Sequence, residues 1–121
     1  PAISDDGRYV AFESEASNLA PADDNAASDI FLYDRQAGQV TRLSLGGAGG
    51  GNAESHAPAI SAGGRFVAFD SRATNLVAGD QNGVVDVFRR DRDAGITARV
   101  SLASAAAPIQ PSRVYLGYIS R

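Results

Sequence analysis

No cysteine, methionine or tryptophan occurs in the chain, and there is a single histidine, His56. The absence of cysteine excludes disulfides, thiolate nucleophiles and cysteine-based zinc sites. Basic excess is lacking too: 11 basic residues face 14 acidic ones, for a net charge of -3. That balance argues against nucleic acid, which calls for a basic stripe, and against an anionic membrane surface. No apolar run approaches the roughly 18 residues that span a bilayer, and no secretory h-region is visible. Neither a nucleic-acid partner nor membrane insertion is therefore expected. No window keeps a 3.6-residue period, so helices should be scarce. The chain begins at Pro1 rather than Met, which reads as a processed, trimmed or excerpted sequence.

What is present is a repeat. The 121 residues are 44% apolar, enough for one small domain with a packed core. Pro1-Ala2-Ile3-Ser4 returns as Pro58-Ala59-Ile60-Ser61, and Gly7-Arg8-Tyr9-Val10-Ala11-Phe12 as Gly64-Arg65-Phe66-Val67-Ala68-Phe69. Asn18-Leu19, Asp29-Ile30-Phe31, Asp34-Arg35 and Arg42-Leu43-Ser44-Leu45 return in the same order, each 57 positions on. About 24 identities fall in about 45 aligned positions without a gap, far beyond chance at a fixed period. Between the units, Gly46-Gly47-Ala48-Gly49-Gly50-Gly51-Asn52 is too rich in glycine for a strand or helix and is expected to be a flexible loop. The tail Tyr115-Leu116-Gly117-Tyr118-Ile119-Ser120-Arg121 follows the pattern of Phe66–Arg72 and reads as a degenerate third start.

Each unit spells four short strands. In the first they are Ala2–Ser4, Arg8–Ser14, Asp29–Tyr33 and Val40–Leu45, with turns at Asp5-Asp6-Gly7 and Gln36-Ala37-Gly38-Gln39. Val10, Phe12, Ile30, Phe31, Val67, Phe69, Val87 and Phe88 are the expected packing positions. The fold class expected is all-β: two four-stranded antiparallel propeller blades plus the start of a third, incomplete as a single chain. The organisation reads as blade repeat 1 with its Gly-rich linker at 1–57, blade repeat 2 at 58–107 and a partial third repeat at 108–121.

The spaced pattern Pro-x-Ile-Ser-x-x-Gly-Arg-(Tyr/Phe)-Val-Ala-Phe, then Asn-Leu, then Asp-x-Asn-x-x-x-Asp-(Ile/Val)-Phe-x-x-Asp-Arg, resembles the WD40-like PD40 repeat of TolB-type β-propellers. It covers residues 1–45 and 58–102, with an echo at 113–121. The family places Asp before the turn glycine; Asp6 fits and Gly63 does not, so a looser second turn is expected. The resemblance implies a propeller blade and a periplasmic or secreted bacterial setting. It also implies a role in binding proteins or gating a neighbouring domain, although a fold alone fixes no function.

Three constellations could carry chemistry. In the loops Asp23–Asp29 and Asp80–Asp86, oxygen side chains recur at the first, third and seventh positions. Calcium takes six to eight oxygens, several from one tight loop. Asp80, Asn82 and Asp86 could supply side-chain oxygens with the Val84 carbonyl; Asp23, Asn25, Asp29 and the Ala27 carbonyl are the counterparts. Turn capping by Asp and Asn explains the same composition. Asp34-Arg35 and Asp91-Arg92 are expected to anchor the hairpin turns, with the arginines paired to acids on the same or the next blade. His56 beside a serine, Ser55 or Ser44, would be needed for a hydrolase of esterase or peptidase type, but His56 reads better as an exposed loop residue. The Gly46–Gly51 run lacks the lysine of a phosphate loop.

The reading is a non-enzymatic binding or structural module, with a protein or glycan partner. It is expected to be a homo-oligomer or part of a longer chain, because two blades cannot close a ring of four to eight.

Overall fold

The computed structural model of the chain describes residues 1–19, 26–47, 49–78 and 84–101. Ten strands appear there in chain order: β1 (Ala2–Ile3), β2 (Tyr9–Ser14), β3 (Asp29–Asp34), β4 (Gln39–Arg42), β5 (Leu45–Gly46), β6 (Gly49–Gly50), β7 (Ser55–Ile60), β8 (Phe66–Ser71), β9 (Asp86–Asp91) and β10 (Ile96–Arg99). No helix occurs among the described residues. β1-β2-β3-β4 and β7-β8-β9-β10 form two antiparallel four-stranded meanders, one per repeat, and β5-β6 form a small separate ladder. The residues of the third start lie outside the described residues.

The repeat is kept at the level of register. Ala2 faces Ala11 and Ile3 faces Val10 in the first sheet; Ala59 faces Ala68 and Ile60 faces Val67 in the second. Phe12–Phe31 and Phe69–Phe88 are directly opposed pairs, with ring centroids 5.8 and 5.9 Å apart. Each turn after the first strand closes on a glycine at positive φ, Gly7 (72°) and Gly64 (79°), whose amide reaches the Ser4 or Ser61 carbonyl at 2.9 Å. The second turn keeps this backbone without an aspartate. What it lacks is the side-chain clasp of the first, in which Asp6 Oδ1 accepts from Ser4 Oγ (2.7 Å) and the Arg8 amide (3.0 Å).

Directly opposed residues of an antiparallel pair point to the same face. Each sheet therefore has a front face and a back face. In the first sheet the front carries Tyr9, Ala11, Glu13, Ile30, Leu32 and Leu43, and the back carries Ile3, Val10, Phe12, Phe31 and Tyr33. The front of the first sheet packs on the back of the second. Ala11, Ile30, Leu32 and Leu43 share one core with Val67, Phe69, Ala73, Leu76 and Phe88, and Tyr9, Ala53, Ile60 and Val77 pack at its border. Of the eight expected packing residues, Ile30, Phe31, Val67, Phe69 and Phe88 are buried, whereas Val10, Phe12 and Val87 are half-buried. The three half-buried residues lie on the two outward faces, where no further sheet of the described residues covers them.

Two expectations are corrected. The glycine-rich segment is an ordered hairpin ladder, Leu45 facing Gly50 and Gly46 facing Gly49. Two of its glycines stand where the chain passes close to other groups: a Cβ on Gly46 would collide with the Asn75 carbonyl and Leu76, and one on Gly50 with the Arg42 guanidinium. His56 lies in strand β7, not in a loop, opposite Asp70. The ladder is interrupted between His56 and Ala59, where Pro58 has no amide to give and Ala57 takes a positive φ of 56°.

Candidate functional site

Each blade is locked by the same set of charges. Arg8 donates Nε and Nη2 to the Asp34 carboxylate at 2.9 and 3.0 Å, and Arg65 does the same to Asp91 at 3.0 and 3.1 Å. Asp34 Oδ1 also accepts the amides of Gln36 and Ala37, and Asp91 Oδ1 those of Asp93 and Ala94, so both aspartates anchor their hairpin turns as expected. The hydrogen bond from Arg8 is the main cause that holds Asp34 at a pKa of about 2; Arg65 likewise lowers Asp91. Among the described residues, the arginines that follow meet carbonyls rather than acids. Arg35 and Arg92 donate Nη1 to the Gly7 and Gly64 carbonyls at 2.8 and 2.6 Å.

Two of the loop aspartates, Asp29 and Asp86, face arginines. Asp29 is fully buried, and its Oδ1 accepts from Arg42 Nη2 at 2.7 Å and from Ser44 Oγ at 2.8 Å. The same three residue types recur as Asp86, Arg99 and Ser101, with Arg99 Nη1 at 3.8 Å and Ser101 Oγ at 3.2 Å. Ala27 sits at the entry to β3, and Val84 is an exposed residue just before β9. Asp23, Asn25, Asp80 and Asn82 lie outside the described residues. No group of three potential metal-ligating side chains occurs among the described residues. Sequence reasoning missed the arginine partners, although their signal was present: Arg42-x-Ser44 and Arg99-x-Ser101 repeat with the aspartates.

His56 is half-exposed, with Nδ1 3.6 Å from Glu13 Oε1 of the other sheet. Glu13 Oε2 also accepts the Ala57 amide at 2.9 Å. Asp70, opposite His56, has its pKa raised by burial; His56 opposes that rise and Glu13 adds to it. The adjacent Ser55 points to the other face, where it is buried and donates to Ser71 Oγ at 2.9 Å. Ser44 is committed to Asp29. Neither serine meets His56, so no nucleophile–base pair forms from these residues.

A cleft of about 840 Å³ lies between the glycine hairpin and the second sheet, with Leu45, Gly46, Asn75, Arg90, Ile96 and Thr97 on its walls. Arg90 Nη1 donates to Thr97 Oγ1 at 3.0 Å, and Thr97 in turn donates to the Leu45 carbonyl. Among the described residues, no acid or histidine lines this cleft. Those walls offer hydrogen-bonding and apolar groups for binding.

The outward faces are the other exposed feature. Ile3 is 60% exposed on the first back face, while its counterpart Ile60 is half-buried against the first sheet. Gly7, Val10, Phe12, Tyr33 and Arg35 are each more exposed than Gly64, Val67, Phe69, Arg90 and Arg92. On the front faces the order reverses. Ala11, Ile30, Leu32 and Leu43 are buried, whereas Ala68, Val87, Arg89 and Val100 are half-buried or exposed.

No protein-family model matches the chain, and no curated protein matches it. Solved structures do. A TolB structure from Agrobacterium tumefaciens is similar at 20% identity and a TM-score of 0.55, over 84% of this chain and 29% of that one. TolB from Acinetobacter baumannii is similar at 20% identity and a TM-score of 0.53, over 84% of this chain and 20% of that one. The likeness shows the fold: two blades of a TolB-type β-propeller. The chain spans less than a third of the length of these matched structures.

Proposed function

We propose that the chain is a non-enzymatic binding or structural module, a β-propeller segment whose outer blade faces receive further blades. The observation that carries this reading is the reciprocal exposure of the two outward faces. Each is the repeat of a face that is buried at the contact between the two sheets. The divergence of Ser55 from His56, and a cleft whose described walls carry no acid or histidine, support binding over hydrolysis. A protein or glycan partner across the propeller face fits the same reading, as does a periplasmic or secreted setting, for which the TolB-type likeness is the support.

The proposal extends to calcium held by Asp80, Asn82, Asp86 and the Val84 carbonyl, and by Asp23, Asn25, Asp29 and the Ala27 carbonyl, with Arg42 and Arg99 competing with the ion for Asp29 and Asp86. The metal reading requires millimolar calcium to raise the melting temperature and Asp80→Ala to remove the gain; no rise takes calcium out of the account.

The module reading is tested by a gene carrying two copies of the chain in tandem. It sets the open front face of one copy beside the open back face of the next. Repeat proteins gain one stabilising interface for each unit added. The tandem should unfold at higher temperature and urea concentration than the single chain, and an unchanged midpoint would refute the reading.

A further inference from the structure

Tyr9 shows how one blade is received by the next. Its ring lies on the backbone of Gly64, so closely that a Cβ on Gly64 would strike Cδ2 and Cε2. Arg92 covers the ring from the second blade, with Cζ 4.3 Å from the centroid, and is held there by its 2.6 Å hydrogen bond to the Gly64 carbonyl. The arrangement is a socket: a glycine floor at positive φ, an arginine fastened over it, and an aromatic ring from the preceding blade between them. The contact is completed by a backbone hydrogen bond from the Asp5 amide to the Ala62 carbonyl at 2.9 Å.

The same socket stands on the first blade, and no ring of the described residues enters it. Gly7 has φ 72°, and Arg35 Nη1 is fastened to its carbonyl at 2.8 Å. Around them lies a cavity of about 390 Å³ lined by Asp6, Gly7, Arg8, Arg35 and Gln36. These five are the repeat counterparts of Gly63, Gly64, Arg65, Arg92 and Asp93. A Cβ on Gly7 would meet only Arg35, at 3.5 Å. At the opposite end of the molecule, the counterpart of Tyr9 is Phe66, half-buried on the open front face beside the guanidinium groups of Arg65 (4.9 Å) and Arg89 (4.8 Å).

We propose that the Gly7–Arg35 cavity is an aromatic socket that receives Phe66 of a second copy of this chain, joining copies front to back. The internal contact is the template for the external one. Ile3 and Tyr33 lie on the face that carries the socket, and Ile96 and Val100 on the face that carries Phe66; all four are exposed, and apolar area on both faces is removed from water when they meet. Asp6 adds a carboxylate on the socket side, where the internal contact has Gly63, and it meets a front face that carries Arg65. Association is heterologous, one face against a different one, so copies extend as open chains or close into a ring.

This inference rests on the module reading above and names the partner and the contact. Phe66→Ala removes the ring and Arg35→Ala removes the socket cover. In light scattering over a concentration series, the wild-type chain should associate, and each variant alone should associate at least about tenfold more weakly, as a lost cation–π contact and buried ring require. An equimolar mixture of the two variants should recover one contact, Phe66 of the Arg35→Ala copy in the socket of the Phe66→Ala copy, and give dimers but no larger species. A benzophenone amino acid placed at position 66 gives a second readout that does not depend on either alanine variant folding. It should cross-link to a peptide containing Asp6–Arg8 or Arg35–Gln36 of another copy. A wild-type chain that stays monomeric, a mixture no different from its components, or cross-links elsewhere would overturn the pairing. A tandem gene that gains stability beside a monomeric single chain would sink the socket pairing while leaving the module reading intact.

Discussion

Replacing Arg42 by methionine is the sharpest test of what holds the first blade. Arg42 is 5% exposed and its partner Asp29 is fully buried, with 2.7 Å between Nη2 and Oδ1. Removing one partner of such a pair leaves a carboxylate in the interior without its counter-charge, which costs about 3–5 kcal/mol. With an m-value of about 1.5 kcal/mol/M, common for small domains, the urea midpoint falls by about 2–3 M. The repeat supplies an internal control. Arg99 is 21% exposed and 3.8 Å from Asp86, so water screens that pair, and Arg99→Met should cost nearer 1 kcal/mol, or about 0.7 M. The double variant Asp29→Leu with Arg42→Met replaces the pair by apolar groups and should recover most of the loss. Urea unfolding followed by circular dichroism measures all three. Equal midpoints for Arg42→Met and Arg99→Met, or a double variant no better than Arg42→Met, would refute the reasoning.

Three further outcomes follow from the same geometry. Burial raises the Asp70 pKa above its ordinary value, so the folded state binds that proton more tightly than the unfolded one, and stability falls as pH rises through the window above 3.8. Asp70→Asn should therefore raise the melting temperature at pH 7, with a gain that shrinks toward pH 4; a gain that grows on acidification would contradict this. Gly46→Ala should cost about 1–3 kcal/mol by overpacking against Asn75 and Leu76, whereas Gly47→Ala, with open space around it, should be neutral within about 0.5 kcal/mol in the same unfolding assay. Phe69→Ala empties the core between the sheets and should cost about 3–5 kcal/mol; Phe12→Ala, on the outward face, should cost clearly less, and equal losses would show that the outward face is as closely packed as the inner one.

The fold was legible because the sequence states it twice. One copy of Arg8–Ser14 or Asp29–Tyr33 is an apolar run of uncertain partner; two copies 57 apart, interleaved with the same turns, leave a blade as the simplest reading. What resisted was everything that depends on which blade lies beside which. Gly46 and Gly50 look like flexible spacers until Asn75 and Arg42 are seen filling the space a side chain would take. Arg92 looks like an acid's partner until the Tyr9 ring is found beneath it. Asp29 has the spacing of a metal ligand, and it is the distant Arg42 and Ser44 that give it another task. Local composition carries strands and turns; contacts between residues far apart in the chain carry the site.

The departures from the repeat are as informative as the repeat. Leu32 is buried in the first front face, and its counterpart on the second is Arg89, exposed and resting on Phe66. A leucine there would add apolar surface to a face that no third sheet covers among the described residues. An arginine keeps that face soluble while its stem still covers the aromatic ring. In the proposed front-to-back contact, the exchange would trade strength of association for solubility of the free chain. Arg89→Leu should make the second front face resemble the first, and its burial against another copy is worth about 1.5–3 kcal/mol, or roughly tenfold to a hundredfold in the association constant. Sedimentation of the variant beside the wild type reads this directly. A variant that associates no more tightly would mean that the front face of the second blade is not a blade-receiving surface, whatever its likeness to the first.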